Sequence, residues 1–111
     1  MVPTTVFAHP PLAAVGLTEA EATAQGLKFK VKHEVTTEWF TARRLREPVS
    51  AYKVLIDETT DLVLGAHLLG PHAEEVINLF AVAMHTRLPA RELQKLLFAY
   101  PTSTSDIVYM L

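Results

Sequence analysis

Ser50-Ala51-Tyr52-Lys53-Val54-Leu55-Ile56-Asp57, then Glu58-Thr59-Thr60-Asp61, then Leu62-Val63-Leu64-Gly65-Ala66-His67-Leu68-Leu69-Gly70 is the stretch that decides the fold. Its outer segments are rich in long apolar and β-branched residues and its middle has turn composition, so it predicts a central hairpin. Gly65 falls inside the returning strand, where glycine marks a bulge or the close approach of another backbone. Beyond Gly70-Pro71 the period changes. Ala73 to Arg87 reads as a helix, with Glu74 and Glu75 in its first turn and Arg87 in its last, both signs matching the helix dipole.

Working outward toward the N-terminus, Lys28-Phe29-Lys30-Val31-Lys32 alternates polar and apolar and predicts a half-exposed strand running through Val35 toward Trp39. Before it, Thr18 and Glu21 have capping-box spacing and Gly26 sits where a left-handed cap ends a helix, which predicts a helix over about 19–25. Thr4 to Phe7, closed by Pro10-Pro11, reads as an edge strand. Toward the C-terminus, Pro89 opens a helix through about Leu97, Pro101 breaks it, and a last short helix starts at Thr104. Strands grouped before helices give an α+β domain, an antiparallel sheet with helices packed on one face.

The helix from Ala73 is apolar on two sides. Ile77, Phe80, Ala81 and Met84 form one face at i, i+3, i+4, i+7 spacing; Val76, Leu79, Ala83 and Leu88 form another. Such a helix is covered on two sides. The sheet covers one, and a second copy of the chain is the economical cover for the other, with Ile77, Phe80, Ala81 and Met84 as the expected seam.

Composition narrows the function. The 111 residues are enough for one domain, and half of them are hydrophobic. A domain of this size leaves part of its apolar content at the surface, as an interface requires. The net charge of −2 carries no footprint for nucleic acid. Arg43, Arg44 and Arg46, flanked by Glu38 and Glu47, read as a solvated hairpin face. With no cysteine there is no disulfide, thiolate metal site or redox dithiol. No secretory segment opens the chain, and the apolar run Val76–Met84 is far shorter than the roughly 20 residues that span a bilayer. The expectation is a cytoplasmic domain with no membrane partner.

Gly16, Gly26, Gly65 and Gly70 never approach dinucleotide or phosphate-loop spacing, so no flavin or nicotinamide fingerprint is present. His67 and His72 lie near Glu74 and Glu75, but Gly70-Pro71 bends the chain between them and no further ligand completes a set; no metal is expected.

Two terminal stretches carry a resemblance: Phe98-Ala99-Tyr100-Pro101-Thr102-Ser103-Thr104-Ser105-Asp106-Ile107-Val108-Tyr109, and Val2-Pro3-Thr4-Thr5-Val6-Phe7-Ala8-His9-Pro10-Pro11. Over nearly its whole length the chain resembles the C-terminal dimerisation domain of the flavin-dependent pyridine nucleotide-disulfide oxidoreductases, the family of glutathione, mercuric and dihydrolipoamide-type reductases. The resemblance implies one domain over 1–111 that forms a homodimer. It places FAD- and NAD(P)H-binding domains upstream in a parent enzyme, outside this chain. The isolated chain is then expected to hold no cofactor and to be inactive.

In that family the counterpart of the tail reads His-Pro-Thr-x-x-Glu. The histidine, oriented by the glutamate, is the acid/base for thiol-disulfide exchange and lies against the partner subunit's flavin. This chain keeps Pro101 and Thr102 but has Tyr100 for the histidine and Ser105 for the glutamate, with Asp106 one position later. The resemblance makes Tyr100 and Pro101 the flavin-contacting pair and Tyr100 with Asp106 the candidate catalytic pair. Imidazole takes and gives a proton near neutral pH, whereas phenols titrate near pH 10 and can only donate there. Tyr100 therefore has two readings, a general acid or a packing residue lining the flavin pocket. Two other functions stand beside the reductase reading: a free-standing binding or adaptor module, and a small independent enzyme using Tyr100, Asp106 and His67.

Overall fold

The computed structural model describes residues 2–37, 39 and 50–111. Five strands form one antiparallel sheet: β1 (Thr4–Val6), β2 (Leu12–Gly16), β3 (Phe29–Val35), β4 (Ala51–Asp57) and β5 (Val63–Leu69), in the order β1-β2-β5-β4-β3. The helices are α1 (Glu19–Ala24), α2 (Ala73–His85) and α3 (Ala90–Gln94), followed by a 3-10 helix at Thr104–Tyr109. This is the α+β architecture expected.

The central hairpin forms as its composition dictates. Asp57 Oδ1 accepts the backbone N–H groups of Thr59 and Thr60 at 2.7 and 3.1 Å, an Asx turn that closes β4 onto β5. The register steps from Leu55↔Gly65 to Ile56↔Val63, leaving Leu64 as an extra residue. The Leu64 carbonyl then accepts the Leu17 N–H at 2.9 Å. Gly65 serves both purposes that a strand glycine can have. It adjoins the bulge, and a Cβ built on it would lie 2.0 Å from the Leu17 carbonyl oxygen.

Alternation along β4 sends Tyr52, Val54 and Ile56 into the main core, where they meet Ala13 and Val15 of β2 and Ala66 and Leu68 of β5. Onto this face α2 lays Ala73, Val76, Ile77, Phe80 and Ala83; Leu93, Ile107 and Leu111 close the same core. Lys53 and Leu55 point the other way, and Lys53 Nζ meets Glu19 of α1 at 2.6 Å. The capping box of α1 is present. Thr18 N–H donates to Glu21 Oε1 at 3.0 Å and Glu21 N–H to Thr18 Oγ1 at 3.2 Å. Those Thr18 hydrogen bonds hold the Glu21 carboxyl below its ordinary range. Gly26, at φ +71, ends the helix as expected.

The seam assigned to α2 needs correction. Ile77 and Phe80 lie within the domain's own core, Phe80 with no exposed surface, because the sheet takes that face of the helix. Ala81 and Met84 are half-buried and pack against the same core. The outward strip of α2 is Glu75, Asn78, Val82 and His85. Four boundaries also differ. The helix stops at His85, and Arg87 takes a left-handed conformation at φ 56 while Leu88 N–H caps the Ala83 carbonyl at 2.9 Å. β3 ends at Val35 short of Trp39, α3 ends at Gln94, and Phe7 lies outside β1. The short strand β2 has no counterpart in the sequence reading. The cluster Arg43, Arg44 and Arg46 with Glu38 and Glu47 lies outside the described residues. Among the described residues, no helix is long and apolar enough to cross a membrane.

Candidate functional site

The tail turn is built by two small hydroxyls. Ser105 Oγ accepts the Thr102 N–H at 3.0 Å and donates to the Thr102 carbonyl at 2.8 Å, while Thr102 Oγ1 accepts the Ser105 N–H at 3.1 Å. Thr102 Oγ1 also donates to the Ala99 carbonyl. The spacing Thr-x-x-Ser thus makes a reciprocal lock, and it fixes the chain directly after Tyr100-Pro101, whose peptide bond is cis. Ser105 is buried in this lock. It holds the turn and leaves the orienting role of a longer carboxylate unfilled.

Tyr100 stands 76% exposed at the lip of an open cleft of about 430 Å³. Pro101 and Asp106 line it too, so the structure brings together the three tail residues that the sequence singles out. Asp106 is engaged in an interaction of its own. Glu34, Trp39 and Tyr109 complete the lining and were missed by sequence reasoning. Their signal was weak: Tyr109 lies in the resembling tail, but Glu34 and Trp39 come from a distant strand end with no motif.

An aromatic cluster backs the cleft. Trp39 lies 5.7 Å from Tyr52 and 5.8 Å from Tyr109 by ring centroids, the second pair edge-on. The single Tyr52 hydroxyl proton is shared between the Tyr109 carbonyl at 3.2 Å and Glu34 Oε2 at 3.3 Å. Burial, followed by the charge of Glu34 and the hydrogen bond to it, raises the Tyr52 pKa above its ordinary value. A folded-state pKa above the unfolded one makes the contribution complete below about pH 10 and lost as pH rises through the raised value. Tyr52→Phe is therefore expected to lower stability at neutral pH, with the gap to the parent narrowing from pH 9 to 11. Urea titrations of both proteins across that range check it; a constant gap would refute the linkage.

His67 does not join this site. Its Nε2–H donates to the Leu17 carbonyl at 3.0 Å, and it lines a separate depression with Leu12, His33 and Lys53. That removes the shared site on which an independent enzyme of Tyr100, Asp106 and His67 would depend. His72 precedes α2 in a left-handed conformation. Among the described residues no group of three or more His, Asp or Glu side chains is placed to hold a metal ion.

Fold and turn define a class: a small α+β domain with a complete core that presents its aromatic turn at an outer lip. Comparison with known proteins makes the class specific. Residues 2–111 match the family described as pyridine nucleotide-disulphide oxidoreductase, dimerisation domain. The chain belongs to that family. It is 45% identical over 111 residues to an uncharacterised 19.7 kDa protein of a mercuric resistance operon in Staphylococcus aureus, spanning all of this chain and 62% of that protein. It is 35% identical to dihydrolipoyl dehydrogenase 3 of Pseudomonas putida, over 96% of this chain and 23% of that enzyme. Among solved structures, the HOCl-induced flavoprotein disulfide reductase RclA of Escherichia coli superposes with a TM-score of 0.93 at 30% identity, covering 98% of this chain and 25% of RclA. The chain thus spans about a quarter of the long reductases it resembles, and under two thirds of the staphylococcal protein.

Proposed function

We propose that this domain pairs two subunits of an FAD- and NAD(P)H-dependent oxidoreductase and supplies the Tyr100-Pro101 lip of its partner's active site. The observation that carries the proposal is the locked turn. Thr102 and Ser105 hold Tyr100 and Pro101 outward beside an aromatic cleft, where an outside ring system can reach them. FAD and NAD(P)H belong to other domains of the assembled enzyme, which works in the cytoplasm. Within this chain Tyr100, Pro101, Trp39 and Tyr109 offer flat surfaces for the flavin edge. Asp106 contributes negative charge nearby.

Tyr100 acts by packing. In a flavoenzyme carrying this domain, Tyr100→Phe is expected to leave turnover within about threefold. A general acid would instead show a loss of roughly 10²-fold in the step after flavin reduction. Stopped-flow traces separate the steps, and a slow second phase would overturn the packing role.

The subunit contact uses the outward strip of α2 around Val82, with Leu79 and Ala81 at its flanks. Val82→Asp should leave the fold intact, because Val82 is largely exposed, and weaken association at least tenfold. Sedimentation at micromolar concentration reads it; an unchanged dimer would place the contact elsewhere.

One finding favours a second reading, a binding module without enzyme domains. In the staphylococcal relative the match leaves little more than a third of the protein for anything else. That is too little for two nucleotide-binding domains of ordinary size.

A further inference from the structure

The cleft beside Tyr100 has walls that define the kind of molecule it holds. Trp39 and Tyr109 stand edge-on, with ring centroids 5.8 Å apart and planes at 72°, so the two rings form a corner. Trp39 is half-buried, and its contact with Tyr52 at 5.7 Å fixes the back of that corner. Tyr109 is exposed and keeps ring surface open to the cleft, and Tyr100 adds a third ring at the rim. Three aromatic side chains thus line a space of about 430 Å³, the size of a small-molecule site.

The charged side chains of the cleft share one sign. Glu34 and Asp106 line it, and among the described residues no Lys, Arg or His does. Glu34 is held from behind. The Tyr52 hydroxyl donates to its Oε2 at 3.3 Å, and no described group donates to Oε1. The face of an aromatic ring is the negative side of its quadrupole and attracts a cation, most strongly at Trp. Rings and carboxylate therefore favour the same ligand. An anion would be repelled by both, and a neutral apolar molecule would strip water from the carboxylate without replacing it. A metal ion does not fit, because among the described residues no group of three or more His, Asp or Glu side chains is placed to hold one. Ring faces also offer few acceptors to N–H donors, which suits a charge wrapped in methyl or methylene groups.

We propose that the cleft is a binding site for an alkylated ammonium group, with the cation in the Trp39–Tyr109 corner and Glu34 as its counter-ion. The Tyr100-Pro101 lip stays available to a flavin edge. That the cationic molecule is the substrate standing beside this flavin rests on the flavoenzyme reading; the site itself rests on this chain alone.

Choline and its uncharged carbon isostere, 3,3-dimethylbutan-1-ol, test this, because they share a shape and differ in charge. Each is titrated into the 111-residue chain with no flavin present. Proton NMR follows the indole N–H signal of Trp39, the one tryptophan of the sequence. Choline should bind about fivefold more tightly than the alcohol, or better. Glu34→Gln keeps an acceptor for the Tyr52 hydroxyl but removes the charge. In that variant the preference for choline should fall by about threefold or more, while the melting temperature stays near the parent's. Equal affinity for the two probes would overturn the proposal, as would the lack of a saturable shift from either. A preference that Glu34→Gln leaves unchanged would overturn it too. So would choline shifts that spare Trp39 and Tyr109 and fall on other faces of the domain. The flavoenzyme reading is tested apart from this, by the sedimentation and stopped-flow measurements above.

Discussion

Phe80→Glu is expected to abolish cooperative folding. Phe80 has no exposed surface and sits between α2 and the sheet, among Val76, Ile77 and Ala83. Removing a buried phenylalanine side chain costs about 3–5 kcal/mol in cavity and transfer terms. A carboxylate in its place adds several kcal/mol for an unpaired buried charge. A small domain has about 5–15 kcal/mol in total, with short chains toward the lower end. The substitution therefore exceeds or exhausts the available stability. Thermal melting by circular dichroism should show no transition, and amide proton signals should collapse to a narrow range. A folded Phe80→Glu monomer would mean that this face of α2 is a surface after all, and would restore the seam first expected from its spacing.

The second large effect is expected at Gly65. In Gly65→Ala the new methyl carbon would lie 2.0 Å from the Leu17 carbonyl oxygen and 2.9 Å from its nitrogen, both backbone atoms that cannot swing aside. The chain at Leu17 must retreat. Its N–H bond to Leu64 and its carbonyl bond from His67 then loosen together. The expected loss is about 3 kcal/mol, at the upper end of ordinary point substitutions. Hydrogen exchange should accelerate first in β2 and α1, which hang on Leu17. Gly26 makes the instructive contrast. It has nothing within 4 Å but sits at φ +71, so Gly26→Ala carries only the left-handed backbone penalty, about 1 kcal/mol. If Gly65→Ala behaved like Gly26→Ala, the close approach at Leu17 would not be a constraint.

Much of this architecture is written locally. The turn after Asp57 and the capping box at Thr18 and Glu21 use side chains within three residues of the backbone they satisfy, and the cap at Gly26 uses the left-handed backbone that glycine allows. Local rules found them. β2 escaped notice because Leu12-Ala13-Ala14-Val15-Gly16 is short, rich in small residues and adjacent to two prolines. It is a strand because β1 and β5 flank it on both sides. The two-sided apolar character of α2 was visible, but which side meets the sheet was not. A helical wheel gives the faces and leaves the rotation about the axis to tertiary packing. At the site, the resemblance led directly to Tyr100, Pro101 and Asp106, which the fold gathers at one cleft. The role of Ser105 was not legible, since one serine replacing a longer acid gives no sign that it locks a turn. Nor were Glu34 and Trp39, which arrive through strand pairing from far away in sequence.

The strand order also has a consequence for how the chain reaches its shape. β2 takes its inner neighbour from β5, with Gly16 paired to Gly65 about fifty residues downstream. During synthesis β1 and β2 are made before the rest of this sheet and within it have only each other. Until β5 is made, β2 presents an open edge of unpaired amides and carbonyls, a template for wrong pairings with neighbouring chains. Closing so long a loop before any contact rewards it makes folding slow compared with a helical domain of equal size. The vulnerable interval in the life of this protein is thus its birth, and chaperone dependence or aggregation on overexpression should track the exposure of β2.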